Sequence, residues 1–296
     1  MLFFLYSYLK TCVHTLTYAP AHTFQPANVL LFSHINKFLS LFFDFFAYFV
    51  IFLYLCSVKV QIMAIGNVTP DSFYASSRLQ STDQLLAWAH AVLADGADIL
   101  DIGGCSTRPG STPASEEEEW RRVEPALAAL RKELPDALLS LDTFRPEIAR
   151  RALADFGPII INDISGGCDE MFRLVQQHDV PYVYTFRGAY QDLAILDRYK
   201  DYKQWILDPG FGFIGSTEAD YACMGRLDEL KAYPYPVLVG VSRKSMLWRP
   251  LGLTPDTCLC ATQALQLYAL EHGATILRTH DVRETAQVVR LFEMLK

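Results

Sequence analysis

The chain leaves one apolar run through "ILRTHDV" (276–282), where Arg278 and His280 follow Ile276 and Leu277. An arginine and a histidine where a buried run stops are suited to holding an anion, because both donate charged or directional hydrogen bonds from a fixed base. Other apolar runs end in the same way. Asn67, Asp101, Asp142, the pair Asn162 and Asp163, Asp208, and the Ser-Arg-Lys of 242–244 each stand at the close of one. A single residue of this kind is ordinarily a cap or a turn former. Seven run ends carrying such groups in one chain point to a common pocket in which carboxylates, amides and cations act together.

The elements that must position these groups alternate. After Gln61 the chain passes between short apolar runs and amphipathic stretches, the pattern of βα units. The expected strands are "IMAIGN", "DILDIG", "LLSLDT", "IIINDI", "YVYTF", "WILDPG", "VLVGVS" and "TILRTH". Helical patterns cover 82–95, 115–134, 146–156, 169–178, 218–232, 256–272 and 282–296. Ser115 followed by Glu118 reads as a capping box, with Glu116, Glu117 and Glu119 adding negative charge to the positive end of that helix. Eight strands alternating with helices imply an α/β fold of the (β/α)8 TIM-barrel type, whose chemistry gathers at the C-terminal ends of the strands. One crossover is reduced. The stretch "RGAYQDLAILDRYKDYKQ" between the fifth and sixth strands has too little periodicity for a full helix, so cover over the barrel there should be thin.

Bulk composition bounds the function. The 296 residues are 51% hydrophobic with a formal net charge of -7, enough for a sizeable core but without a basic field for nucleic acid or an anionic membrane surface. Any anion must therefore be met by local cations. The seven cysteines form no C-x-x-C pair, which leaves a reducing compartment and no structural metal as the default. Residues 1–60 are an apolar segment poor in charge, and 61–296 form the barrel. Within the former, 38–58 is long enough to span a bilayer, although Asp44 would be costly near its middle. It reads either as a membrane anchor or, preferably, as an extension ahead of the physiological start.

Seven motifs occur in order: "NVTPDSF" from Asn67, "GGCSTRPGS" from Gly103, "LDT" from Leu141, "IND" from Ile161, "LDPGFGF" from Leu207, "VSRKS" from Val241 and "RTHDV" from Arg278. The ordered set closely resembles dihydropteroate synthase, a family of pterin-binding barrels, over about 62–296. The resemblance implies a transferase that joins 6-hydroxymethyl-7,8-dihydropterin diphosphate to 4-aminobenzoate in folate biosynthesis, with Mg2+ on the diphosphate. Lys244, Arg278 and Asp142 are implied as catalytic residues. Asp142, Asn162, Asp208 and Lys244 would read the pterin. Arg278 and His280 would hold the diphosphate, with Thr107 and Arg108 from the second loop and with Asn67, which would also help place the metal. Phe213 and Ser245 complete the substrate-binding set, Ser245 receiving the aminobenzoate carboxylate at a helix start. For Lys244 the bland alternative is a solvated cation at that helix start, and for His280 a cap on the last helix. Members of this family work on soluble metabolites in the cytoplasm and are commonly homodimers.

Some positions depart from the family's pattern. Tyr74, Ala75, Ser76 and Ser77 replace an acidic residue and glycines, Cys105 replaces a glutamate, "TFRG" (185–188) stands where Met and His are common, and "FIGST" replaces Gly-Lys. Two other readings stay open. One is a pterin-binding remnant without catalysis; the other is a corrinoid-dependent methyltetrahydrofolate methyltransferase, which shares the barrel but does not need "STRP" or "SRKS".

Overall fold

The computed structural model describes residues 59–69, 81–105 and 113–296. The possible membrane stretch 38–58 and the loop residues Thr107 and Arg108 lie outside them, as do Tyr74, Ala75, Ser76 and Ser77. Among the described residues no helix is long and apolar enough to cross a membrane.

The chain from Lys59 runs β1 (Gln61–Asn67), α1 (Thr82–Ala94), β2 (Ile99–Gly103), α2 (Glu116–Glu133), β3 (Leu138–Asp142), α3 (Pro146–Phe156), β4 (Ile160–Asp163) and α4 (Asp169–His178). It continues through β5 (Tyr182–Thr185), a 3-10 turn (Tyr190–Ala194), α5 (Ile195–Arg198), β6 (Trp205–Asp208), α6 (Thr217–Met224) and a second 3-10 turn (Leu227–Ala232). The last elements are β7 (Leu238–Val239), α7 (Ser245–Trp248), α8 (Leu259–Glu271), β8 (Ile276–Thr279) and α9 (Val282–Leu295). The strands form one parallel sheet in the order β6-β5-β4-β3-β2-β1-β8-β7. Its ends meet through a single parallel bridge between Leu207 and Val237. That closes a TIM-type barrel, with its seam at β7.

All eight strands stand where the alternation of sequence put them, but β7 keeps only two residues of the expected "VLVGVS". Pro236 in front of it has no N–H to give to a ladder. Two crossovers also differ from expectation, although the helix expected over 256–272 is present as α8. The stretch 218–232 is broken at Gly225 into α6 and a 3-10 turn, since glycine lowers helix stability at the point where the chain must bend toward β7. The seventh crossover is divided between α7 and α8, with Pro250, Gly252 and Pro255 between them to stop the first turn from continuing. The capping box of α2 is half formed. Ser115 Oγ accepts from the Glu118 N–H at 3.2 Å, but the Glu118 carboxylate turns to Arg121 and Arg122 instead of back to Ser115.

The reduced fifth crossover is covered in another way. Phe172 of α4 packs its ring against Tyr182, Tyr184, Tyr199 and Trp205 at centroid distances of 5.1 to 6.2 Å. Trp205 in turn meets Tyr202 edge-on at 5.0 Å. Large rings thus bury the outer face of β5 and β6 where a single turn of helix cannot, each contributing area that several aliphatic side chains would otherwise supply.

Candidate active site

Side chains alternate across a strand, so residues two apart share a face. Inside the barrel Met63, Ile99, Ile160, Val183, Ile206, Leu238 and Ile276 form a separate apolar layer. Two residues further on stand Asp101, Asn162, Thr185, Asp208, Arg278 and, just past the end of β7, Gly240; Ile65 of β1 is the apolar member, and the same period carries Ser140 to Asp142 on β3. The site is therefore a polar layer seated directly on an apolar floor. Its placement follows from strand period alone. Register brings Asp142 beside Asn162 and Thr185 beside Asp208, so acceptors from different strands line one wall.

Arg278 is the centre of this layer. Its Nε donates to Asp101 Oδ2 at 2.7 Å, and Nη2 donates to Asp142 Oδ2 at 2.7 Å. Asn162 Nδ2 donates to the same Asp101 oxygen at 3.1 Å. Asp101 is fully buried, and among the described residues its Oδ1 meets no donor. A buried carboxylate oxygen without a donor is costly, and a ligand N–H arriving there would relieve that cost. Burial pushes the Asp142 carboxyl up to about 7; Arg278 works against the rise, and the neighbouring carboxylate of Asp101 adds to it. Arg278 itself is held above its ordinary value by Asp101 and Asp142, against the cost of its own burial. Asp208 is also raised by burial, opposed by Lys244 and by the Gly210 N–H that bonds Oδ1 at 2.8 Å.

Lys244 is not a solvated helix-start cation. Its ammonium donates to the Phe211 carbonyl and lies 4.9 Å from the centroid of the Phe213 ring. Burial lowers it to about 8, with Asp208 pulling the other way. The glycine turn of "DPGFGF" makes this possible. Gly212 has φ +82, and a Cβ there would come within 3.0 Å of Lys244 Cδ.

The remaining expected residues divide. Asn67 ends β1 in register with Gly103, which is itself in register with Asp142. Phe213 meets Lys244 as above. Ser245 opens the one-turn helix α7. His280 is half-buried and its backbone N–H donates to Ser242 Oγ at 3.2 Å; the N-cap of α9 is Asp281, so His280 does not have the capping role. Arg187, at the end of β5, donates to the Ile164 carbonyl at 2.9 Å across the neighbouring loop. Asp163 turns out of the barrel, where it accepts from Tyr182 Oη at 2.9 Å and from the Ser165 N–H at 2.7 Å. It is a structural carboxylate.

Sequence reasoning left three pocket residues out of the site. The run ends include Asp101 without a role, Thr185 enters only as the start of "TFRG", and Gly240 carries no signal of its own. Counting two residues on from Ile99, Val183 and Leu238 finds all three. Glu119 was read only as helix-start charge, yet it is fully buried. It accepts from Thr143 Oγ1 at 2.6 Å and pairs with Arg145. The signal that sets it apart from Glu116, Glu117 and Glu118 is its place one turn before Val123, on the stripe that Ala126, Leu127 and Leu130 continue.

Residues 63–205 and 191–280 match the family model described as pterin binding enzyme. The chain belongs to the pterin-binding enzymes, among the dihydropteroate synthases. The synthase of Bacillus subtilis strain 168 is 35% identical over 255 residues, covering 80% of this chain and 89% of the relative. A dihydropteroate synthase from Clostridium difficile, crystallised in the presence of pteroic acid, superposes with a TM-score of 0.73 at 31% identity, over 80% of this chain and 97% of that one. The enzyme of Xanthomonas albilineans with 4-aminobenzoic acid superposes with a TM-score of 0.72 at 31% identity, over 80% and 93%. The reduced fifth crossover leaves the fold of a dihydropteroate synthase recognisable, because the strand ends that carry the polar layer are unaffected.

Proposed function

We propose that the chain condenses 6-hydroxymethyl-7,8-dihydropterin diphosphate with 4-aminobenzoate, releasing pyrophosphate and 7,8-dihydropteroate. The observation that carries this reading is the polar layer, in which Asp101, Asp142, Asn162 and Asp208 stand with Lys244 and Arg278 on an apolar floor. Its acceptors suit the N–H-rich edge of a pterin, and its cations suit the charge that leaves. Relatives crystallised with pteroic acid and with 4-aminobenzoic acid support both halves of the assignment.

In the reaction the bond from the pterin methylene to the diphosphate oxygen breaks, and the pair stays on the leaving diphosphate. The aniline nitrogen forms the new C–N bond and loses one proton. Asp142 and Asp208 orient the ring, while Arg278 balances their charge. Lys244 stands 4.9 Å from the centroid of the Phe213 ring and feels the charge of Asp208, and its ammonium is assigned to the edge of the pterin ring. His280 and Arg278 follow one another along the end of β8, where the growing negative charge is met. Thr107 and Arg108 are assigned to the same anion, and Ser245 to the aminobenzoate carboxylate.

Asn67 offers a single hard oxygen donor, which fits a Mg2+ carried mostly by substrate phosphate oxygens and water better than one held in a protein cage. When bound, the metal supplies neutralisation of the leaving diphosphate. We assign the reaction to the cytoplasm and the active unit to a homodimer; sedimentation of the purified chain tests the latter. Turnover is tested by coupled pyrophosphate detection. Release that requires both the pterin diphosphate and 4-aminobenzoate supports the synthase, and pterin binding without release overturns it.

A further inference from the structure

Arg243 has an unusual backbone. It is one of three non-glycine residues at positive φ among those described, with φ +57, between Ser242 and Lys244. Side chains with a Cβ rarely adopt this conformation, and it persists only where surrounding contacts hold it. Here the contacts are dense. Arg243 Nε donates to Asp281 Oδ2 at 2.9 Å and Nη2 to Asp281 Oδ1 at 2.7 Å, a two-pronged pairing of guanidinium and carboxylate. Nη1 donates to the Pro255 carbonyl at 2.8 Å. The Arg243 N–H donates to Thr262 Oγ1 of α8 at 3.3 Å. Both side chains are nearly buried, at 10% and 9% exposure.

The pairing joins two motifs far apart in sequence. Asp281 follows His280 directly, and Arg243 precedes Lys244. Ser242 Oγ adds a second tie, reached by the His280 N–H at 3.2 Å and standing 3.5 Å from Asp281 Oδ2. β7 has only two residues, so its ladder ends at Val239 and hydrogen-bonded register cannot fix residues 240–244. A side-chain clamp does so instead. Because Arg243 turns back to Asp281, the next residue is thrown toward the barrel mouth, where the Lys244 ammonium meets the Phe211 carbonyl and the Phe213 ring.

We propose that Arg243 and Asp281 are positioning residues that hold the left-handed turn aiming Lys244 into the pocket and that fix the end of β7 against the end of β8. The proposal deepens the reading of the pocket given above. It requires the two-pronged geometry, not charge alone, so Arg243→Lys and Asp281→Asn should both fail to replace the parent pair.

The test follows the Lys244 ammonium directly by NMR titration of labelled lysines in the full chain, with Lys244→Arg identifying the resonance. Burial should set the parent's titration point at about 8. In Arg243→Lys and in Asp281→Asn the titration point should move upward by a unit or more as the ammonium leaves its buried position, while KM for the pterin diphosphate rises at least tenfold and kcat changes less. Combining the two substitutions should cost no more than either alone. Arg243→Gly permits φ +57 without strain yet lacks the guanidinium, so it too should lose the aim, and it serves if the lysine variant does not fold. Folded variants whose Lys244 titration and KM both stay within twofold of the parent would overturn the proposal. A parent without aminobenzoate-dependent turnover would overturn the synthase reading instead, and the titration would still judge the clamp.

Discussion

Arg278 Nη2 lies 2.7 Å from Asp142 Oδ2, and this ion pair joins the last strand of the barrel to the third across the pocket. The resemblance sets the guanidinium against a diphosphate; here it engages Asp142, which the same resemblance sets against the pterin, and also Asp101. We therefore expect Arg278 to act at the ring end of the pocket as well as at the anion end.

Arg278→Ala should for that reason weaken a pterin lacking phosphates almost as much as the diphosphate substrate, because Asp101 and Asp142 lose their shared counter-charge. His280→Ala should weaken chiefly the diphosphate. Losses of tenfold or more correspond to about 1.4 kcal/mol each. Calorimetric titration with the two ligands decides the matter: a selective loss of diphosphate affinity in the Arg278 variant would restrict that residue to the anion.

The pH profile of kcat/KM for the pterin diphosphate should be a narrow bell. Activity rises as Asp142 ionises near pH 7 and falls as Lys244 loses its proton near pH 8, both displaced toward neutrality by burial. Asp142→Asn should remove the rising limb. The same shift affects folding. A carboxyl raised from 3.8 to about 7 holds its proton more tightly in the native state, so its contribution to stability is present below about pH 4 and is lost as pH rises to about 7. Steady-state kinetics across this range, with denaturant midpoints at matched pH, measure both effects.

Lys244→Ala should lower kcat/KM by one to several powers of ten, at about 1.4 kcal/mol for each power. Its melting temperature should stay close to the parent's, because the substitution removes a buried charge along with its contact to the Phe211 carbonyl. An unchanged kcat/KM in the purified variant would remove Lys244 from the reaction.

Gly240 lies between the two cations, and a Cβ added there would sit 3.6 Å from Arg278 Cβ and 3.8 Å from Lys244 Nζ. Those are ordinary contact distances, so Gly240→Ala should fold normally yet narrow the pocket. We expect pterin affinity to fall several-fold with little change in melting temperature. Full affinity in the alanine variant would mean that no ligand atom approaches this point.

Phe172→Ala tests the aromatic cover of the short crossover. Removing a ring that meets four others should destabilise the fold by about 3–5 kcal/mol, seen as a lower denaturant midpoint. A loss below about 1 kcal/mol would show that the cover lies elsewhere.

The sequence by itself determined the strands, because eight apolar runs alternating with amphipathic stretches leave few arrangements other than a barrel. It also determined the pocket's composition, since a period of two places Asp101, Asn162, Asp208 and Arg278 above Ile99, Ile160, Ile206 and Ile276 on one inward face. The break inside 218–232 was less legible, because helical periodicity continues across a bend that only packing against β7 requires, and the one-turn helix α7 ahead of 256–272 is too short to show a period. What tertiary structure alone decided was pairing. Arg278 is 177 residues from Asp101 and 136 from Asp142 along the chain, and the helical stripe that buries Glu119 does not say that Thr143 and Arg145 will be its partners. Hydrogen bonds and ion pairs depend on separations of about 3 Å in space, and the chain acquires those separations only once the barrel has closed.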